Sequence, residues 1–176
     1  VAAGAMHSLA LVSGGAVYSF GRNTHGQLGR GAPGVTSSLP AVVGALTARR
    51  VRALRVAAGA YFSLVVSEEG RLFAFGSNAY GELGVEGGGS RHVPVEAATP
   101  AGARLQAATG GRAHTLGLTR RGAVVATGRN VHGQLGLGGG VGGEVGGEVG
   151  GEIGAVHVLT AVEALRDEHV TQLACG

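Results

Sequence analysis

Two histidines, each followed by a hydroxyl residue, are the side chains best suited to acid–base or nucleophilic chemistry. His7 precedes Ser8 and His114 precedes Thr115, but the matching position of a third copy holds Phe62. A nucleophilic hydroxyl also needs a base and an orienting acid, and the sequence offers no such set at these positions. A group that performs chemistry once need not recur, so we predict structural hydrogen bonds for His7 and His114, to backbone or to Ser8 and Thr115.

Metal and cofactor chemistry have little support in the sequence. His25 and His132 align with Tyr80, and no two histidines have the spacing of metal ligands on one element. All 14 cationic side chains are Arg, so no lysine is present for a phosphate loop or a Schiff base. A dinucleotide-like run at residues 138–143 matches by chance because glycine is so dense there. We predict no catalytic residue, no metal and no cofactor, and expect a protein that is not an enzyme.

A basic cluster is the candidate partner-binding site. It consists of four arginines that lie close together in the sequence: Arg49, Arg50, Arg52 and Arg55. Such a cluster suits an acidic protein surface or phosphates. The alternative, which we favour, is a solvated edge where charge discourages the addition of another strand. The net charge of +3 is mild and leaves nucleic-acid binding open.

A nine-residue motif that occurs three times indicates which elements position these side chains. Residues 21–29 read GRNTHGQLG and return in closely similar form at residues 76–84 and 128–136. A matching block that ends at Gly4, Gly59 or Gly111 precedes each copy, with a period of about 50 residues. This period is typical of repeat architectures, in which each unit buries its apolar face against its neighbours.

The period divides the chain into units, which we predict at residues 1–55, 56–107 and 108–172, with a fourth beginning at 173–176. Because the chain begins and stops inside a repeated phrase, we expect it to be a segment of a longer protein. The third unit contains a low-complexity run of Gly, Glu and Val at residues 138–154. We expect this run to form a mobile surface loop.

Strand signals recur within each unit. Short apolar segments flank three-residue turns that end in Gly15, Gly70 and Gly122. Glycine takes the left-handed conformation at low cost, so a hairpin is predicted at each turn. Another extended segment follows, and it contains Pro40 or Pro94, which an outer strand tolerates best. With an Ala-rich segment leading into the next unit, each repeat has about four strands.

The last seven residues of each motif, which we call its close, carry side chains that can stabilise a turn. Each Asn is predicted to accept a hydrogen bond from the backbone two residues further on. The Gln or Glu four residues later is predicted to bridge neighbouring loops, and the Leu after it to fill the space between units. The predicted structural positions are Gly4, His7, Asn23, Gly26, Gln27, Gly29, Gly59, Asn78, Gly81, Gly84, Gly111, His114, Asn130, Gly133, Gln134 and Gly136.

These phrases resemble the repeat of the RCC1 (regulator of chromosome condensation) family, a seven-bladed β-propeller. Residues 3–8 match its A-G-x-x-H-[ST] opening, residues 15–21 its aromatic hairpin, and residues 23–29 its N-x-x-G-Q-L-G close. The resemblance implies an all-β propeller segment of about three four-stranded antiparallel blades plus the start of a fourth. Phe62 replaces the opening His and Thr127 the hairpin aromatic, so we expect looser packing in those two blades.

The family resemblance implies a non-catalytic protein–protein interaction scaffold that acts through its loops and rim. One alternative is guanine-nucleotide exchange on a Ran-like small GTPase, although nothing in the chain matches the wedge that exchange requires. A second alternative is the substrate-recruiting propeller of a larger ubiquitin ligase. The UV-B photoreceptor role of a plant member needs clustered Trp, which the sequence lacks. The expected partners are a small GTPase or chromatin protein and the remaining blades of the parent chain, with no membrane partner.

Overall fold

The computed structural model describes residues 1–138 and 154–176 and shows three four-stranded antiparallel sheets. In each sheet the strands lie side by side in chain order. The all-β, four-strand expectation is therefore confirmed, whereas the bounds of the repeat units stay a prediction. The low-complexity run is outside the described residues except for its two ends, so the loop expected there also stays a prediction.

The strands occupy similar positions in the three sheets. The first sheet contains β1 (Ala2–Ala3), β2 (His7–Leu11), β3 (Val17–Gly21) and β4 (Ser37–Val42). The second contains β5 (Ala53–Ala58), β6 (Phe62–Ser67), β7 (Leu72–Gly76) and β8 (Arg91–Ala97). The third contains β9 (Leu105–Gly110), β10 (His114–Thr119), β11 (Val124–Arg129) and β12 (Ala155–Ala161). The short helix α1 (Gly44–Ala48) and the 3₁₀ turns Pro100–Gly102 and Glu163–Leu165 were not predicted from the sequence.

The predicted hairpin turns join the two central strands of each sheet. Gly15, Gly70 and Gly122 have φ of 83°, 80° and 83°, the left-handed conformation that the turns were predicted to need. The prolines also lie where predicted, since Pro40 is on β4 and Pro94 on β8, the outermost strands of their sheets. An outer strand has one side without a ladder partner, so the missing N–H costs little there.

The same backbone hydrogen bond joins each sheet to the segment that follows it. The carbonyls of the hairpin glycines accept N–H bonds from Ala53 at 2.9 Å, from Leu105 at 2.8 Å and from Val170 at 3.1 Å. Ala53 and Leu105 begin β5 and β9, the first strands of the second and third sheets. Val170 therefore takes the position that begins a fourth blade.

The core lies between neighbouring sheets. One apolar cluster combines side chains of the second and third sheets, among them Phe62, Leu83 and Leu159, and another joins the first sheet to the second. Phe62 and Thr127 are both completely buried, and the Thr127 hydroxyl lies within hydrogen-bond distance of two backbone carbonyls. The expectation of looser packing at these two positions is wrong, because each replacement is accommodated by its neighbours.

Candidate functional site

A hydrogen bond between a histidine and a hydroxyl residue joins the first two sheets. His7 Nε2 on β2 lies 2.9 Å from Ser63 Oγ on β6, and that hydroxyl donates to the Gln27 carbonyl at 2.8 Å. Because the Ser63 proton is committed to the carbonyl, His7 Nε2 is the donor of the pair. The predicted structural hydrogen bond is therefore present, but its partner is Ser63 of the next sheet, and the proposed partner Ser8 is wrong.

Burial keeps the His7 ring neutral. Desolvation lowers the pKa of His7 from 6.5 to about 4, and an interaction with the Phe62 backbone opposes this only in part. Burial also lowers the pKa of His114, which occupies the matching position in the third sheet. A histidine with so low a pKa is a poor base near neutral pH, and Ser63 is fully buried.

The second and third sheets repeat half of this arrangement. The Thr115 hydroxyl on β10 donates to the Glu82 carbonyl at 2.7 Å, as Ser63 does to Gln27. Phe62 takes the place of the histidine there, and its ring lies against Gly59 as the His7 ring lies against Gly4. His114 and Gly111 form the third such pair. A side chain on any of these three glycines would collide with the ring, which explains the glycine in each opening.

The asparagines of the three closes hold their loops in identical fashion. Oδ1 of each Asn accepts the N–H of the leucine five residues further on, at 3.0 Å in every copy: Asn23 with Leu28, Asn78 with Leu83, and Asn130 with Leu135. The predicted bond to the backbone two residues on is therefore wrong. The loop curls back after the Asn, so its amide spans a wider turn.

The Gln and Glu of the closes also act within their own loops. Oε1 of Gln27 and of Gln134 accepts the N–H two residues earlier at 2.9 Å, and Glu82 Oε2 accepts that of Tyr80 at 2.7 Å. Ser77 Oγ donates to the other Glu82 oxygen at 2.6 Å. The predicted side-chain bridges between loops are wrong. Gln27 and Glu82 instead link neighbouring sheets through their backbone carbonyls.

The glycines within the closes all have a left-handed backbone, and those of the first two copies also pack tightly. Gly26, Gly81 and Gly133 have φ of 81°, 77° and 75°, and Gly29, Gly84 and Gly136 have φ of 67°, 70° and 65°. Gly29 lies against Phe75, and Gly84 lies against Leu159 of the neighbouring sheet. The left-handed backbone favours glycine at all six positions.

The four arginines predicted as one cluster diverge in space. Arg49 Nη1 donates to the Pro94 carbonyl at 3.2 Å, while Arg55 Nε donates to the Gln106 carbonyl at 3.1 Å. Arg55 and Gln106 line a cavity of about 580 Å³ beside the innermost strands. Arg50 and Arg52 point elsewhere and line a separate hollow of about 70 Å³.

The fold brings other arginines to Arg52, and sequence spacing gave no indication of this. Arg52 Nε is 3.3 Å from the Glu68 carboxylate, and Arg120 Nη2 donates to the Glu68 carbonyl at 2.5 Å. Arg104 joins them because its carbonyl accepts the Arg120 N–H at 2.8 Å. The sequence does contain a sign of this proximity. Glu68 and Arg120 lie in the hairpin turns of successive repeats, and Arg52 and Arg104 immediately precede the first strands of successive sheets.

The described residues show neither a metal cluster nor a membrane helix. No three His, Cys, Asp or Glu side chains in residues 1–138 and 154–176 come together in a way that would hold a metal ion. None of the helices in this part of the chain has the length and apolar character to span a bilayer.

Repeated four-stranded sheets, packed against one another through apolar clusters and linked by the same backbone bonds, define a β-propeller built from sequence repeats. A family model described as the regulator of chromosome condensation (RCC1) repeat matches residues 14–66 and 69–118. A second model of the same repeat matches residues 54–82 and 107–134. The chain therefore belongs to the RCC1 repeat family.

Two curated relatives show how widely this repeat is used. The chain is 36% identical over 138 residues to the ultraviolet-B receptor UVR8 of Arabidopsis thaliana, covering 78% of the chain and 31% of that protein. It is 34% identical over 136 residues to the probable E3 ubiquitin-protein ligase HERC4 of Homo sapiens, covering 77% of the chain and 13% of that protein. The chain thus spans less than a third of the length of these relatives.

Solved structures agree with the propeller fold. Human WBSCR16 superposes with a TM-score of 0.72 at 26% identity, over 90% of this chain and 36% of that one. Prp20p from Saccharomyces cerevisiae gives a TM-score of 0.75 at 21% identity, over 99% of this chain and 40% of that one, which shows the fold alone. The Prp20p structure was described together with its binding to Gsp1p and histones.

Proposed function

We propose that this chain is part of a non-catalytic protein–protein interaction scaffold. The observation that carries the proposal is the use of the His7–Ser63 pair. These side chains would be the base and nucleophile of a catalytic site, but both are buried and hold two sheets together. The polar side chains of the openings thereby hold the sheets together, which leaves the exposed loops and turns to differ between blades and to contact partners.

Two other functions are supported by relatives. The relation to HERC4 favours the substrate-recruiting propeller of a larger ubiquitin ligase, in which another part of that protein would perform the transfer. The other alternative is guanine-nucleotide exchange on a Ran-like small GTPase, or a chromatin partner; Prp20p, which shares the fold, is described with its binding to Gsp1p and histones. Substrate recruitment for a ubiquitin ligase is itself a scaffold role. Of these functions, guanine-nucleotide exchange is the one that conflicts with a non-catalytic scaffold.

Exchange is tested by release of a fluorescent GDP analogue from a Ran-like small GTPase, with the full-length protein that contains this chain added in catalytic amounts. A scaffold should leave the release rate at its spontaneous value. An EDTA-treated GTPase sample provides the positive control for release. Acceleration that rises with the concentration of the full-length protein would overturn the proposal in favour of exchange.

A further inference from the structure

The antiparallel strand order places the hairpin turns and the segments that begin the next sheet at the same end of each sheet. At this end, the segments from the start of the second sheet to the hairpin turn of the third are residues 43–52, 67–71, 98–104 and 119–123, which we call the hairpin face. Residues 162–169 continue the same end beyond the third sheet, where the Val170 N–H reaches the Gly122 carbonyl. The backbone bonds of Gly70 with Leu105 and of Arg104 with Arg120 join these segments into one surface. Residues far apart in the sequence are thus neighbours on this face.

Besides Arg49, whose side chain donates to the Pro94 carbonyl, five exposed arginines share the hairpin face. We call them the arginine patch: Arg50, Arg52, Arg104, Arg120 and Arg121. Arg52 contacts the carboxylate of Glu68, whereas Arg120 contacts only the carbonyl of that residue. The patch therefore runs from the second sheet to the third through Glu68.

At this end of the second and third sheets, residues 162–169 included, eight arginines stand against five carboxylates. Glu69 is held by Arg71 at 2.7 Å and Glu68 is in contact with Arg52, while Glu163, Asp167 and Glu168 lie on the segment beyond Gly122. In residues 1–138 and 154–176, Arg50, Arg104 and Arg121 form no ion pair. Several guanidinium groups on one face are thus available to an anionic partner, and guanidinium pairs with carboxylate in a two-pronged geometry.

Features of the same face favour a protein over a nucleic acid. The segments that form the hairpin face contain no Phe, Tyr or Trp, so bases would find no stacking platform there. Glu68 and Glu69 interrupt the positive surface and would repel a continuous phosphate backbone. A protein segment with spaced carboxylates avoids both problems, because its acidic side chains can reach the separate arginines.

We propose that the arginine patch docks an acidic, Asp- and Glu-rich segment of a protein partner. This proposal rests on the scaffold function and adds the surface and the chemical class of the partner. Arg49 and Arg55, which were grouped with Arg50 and Arg52 by sequence, lie outside the patch.

The test measures fluorescence anisotropy of a labelled oligoglutamate peptide titrated with the full-length protein. The double variant Arg50→Glu with Arg121→Glu should bind about tenfold more weakly, and its affinity should depend less on salt. The matched control is Arg22→Glu with Arg112→Glu, which changes two exposed arginines at the opposite ends of the strands. The control carries the same net charge and should bind within about twofold of the parent protein.

Several results would overturn the proposal. They are no peptide binding by the parent protein, an equal loss in both double variants, and tighter binding of oligothymidylate or duplex DNA than of the peptide. If the charge reversal prevents folding, as judged by circular dichroism, Arg104→Gln with Arg121→Gln replaces it, with the same expected direction. Peptide binding is measured separately from GDP release, so failure of the patch and failure of the scaffold function remain distinguishable.

Discussion

Gly81 combines a left-handed backbone, φ 77°, with close contact to the next sheet. A Cβ built on Gly81 would lie 2.6 Å from His157 Cα and 2.8 Å from the Val156 carbonyl oxygen, both on β12. Gly26 lies in the same way against His92 on β8. The obstacle in each case is backbone, which cannot move aside as the end of a flexible side chain can. A glycine at each of these positions therefore permits a close local approach of two sheets.

Replacing Gly81 with Ala should lower the free energy of unfolding by about 3 kcal/mol, from backbone strain and from the clash with β12. Gly14→Ala is the control, because Gly14 has φ of 93° but nothing within 4 Å of a built Cβ. It should cost only about 1 kcal/mol, the strain alone. Urea denaturation of the two variants measures the difference. Equal losses would show that contact with β12 adds nothing.

The elements of neighbouring sheets meet at polar seams. Between β2 and β6 the seam consists of His7, Ser63 and the Gln27 carbonyl, and between the β7–β8 loop and β10 it consists of Thr115 and the Glu82 carbonyl. Each hydroxyl satisfies a carbonyl that would otherwise be buried without a donor, at a cost of about 1–3 kcal/mol. The seams thus hold the sheets in register.

The seam between β2 and β6 should weaken in acid. The folded-state pKa of His7 is about 4, below the unfolded value of 6.5, so the unfolded chain takes up the proton first as the pH falls. The contribution of His7 is fully present above pH 6.5 and is lost progressively down to about pH 4, by up to about 3 kcal/mol.

The variant His7→Phe checks this, because Phe62 already occupies the matching position in the second sheet. Its free energy of unfolding should fall less than that of the parent chain between about pH 6.5 and pH 4. Denaturation curves at several pH values measure the two slopes. His114 titrates in both proteins, so it cancels in the comparison. Parallel pH profiles would contradict the assignment.

At the scale of the whole molecule, the three sheets are covered to different extents. Every residue of β6 and β7 in the second sheet is buried, whereas β2 and β3 in the first are only partly so. The reason is that the second sheet packs against a neighbour on both sides, through two separate apolar clusters. In a repeat protein, stability follows such nearest-neighbour contacts.

Amide hydrogen exchange should therefore be slowest in β6 and β7 of this 176-residue chain. Opening these strands requires both apolar clusters to separate, while β2 and β3 depend on one. Exchange followed by mass spectrometry of peptic fragments resolves the three hairpins. Slower exchange in β2 and β3 than in β6 and β7 would show that burial between sheets does not set the order of opening.

Local sequence determined the repeat, the hairpins and the outer strands. Gly15, Gly70 and Gly122 mark turns because few other residues adopt their φ at low cost, and Pro40 marks an outer strand because it lacks an N–H. These constraints act within a few residues. They can be recognised without knowledge of the neighbouring sheet, and three copies in register made them unambiguous.

Only the tertiary structure decided which groups meet across the sheets. It paired His7 with Ser63, separated Arg49 and Arg55 from Arg52, and brought Arg52 and Arg120 together at Glu68. These contacts depend on how one sheet is placed against the next. That placement results from the burial of apolar faces between sheets, an effect summed over many side chains and expressed in no short stretch of sequence.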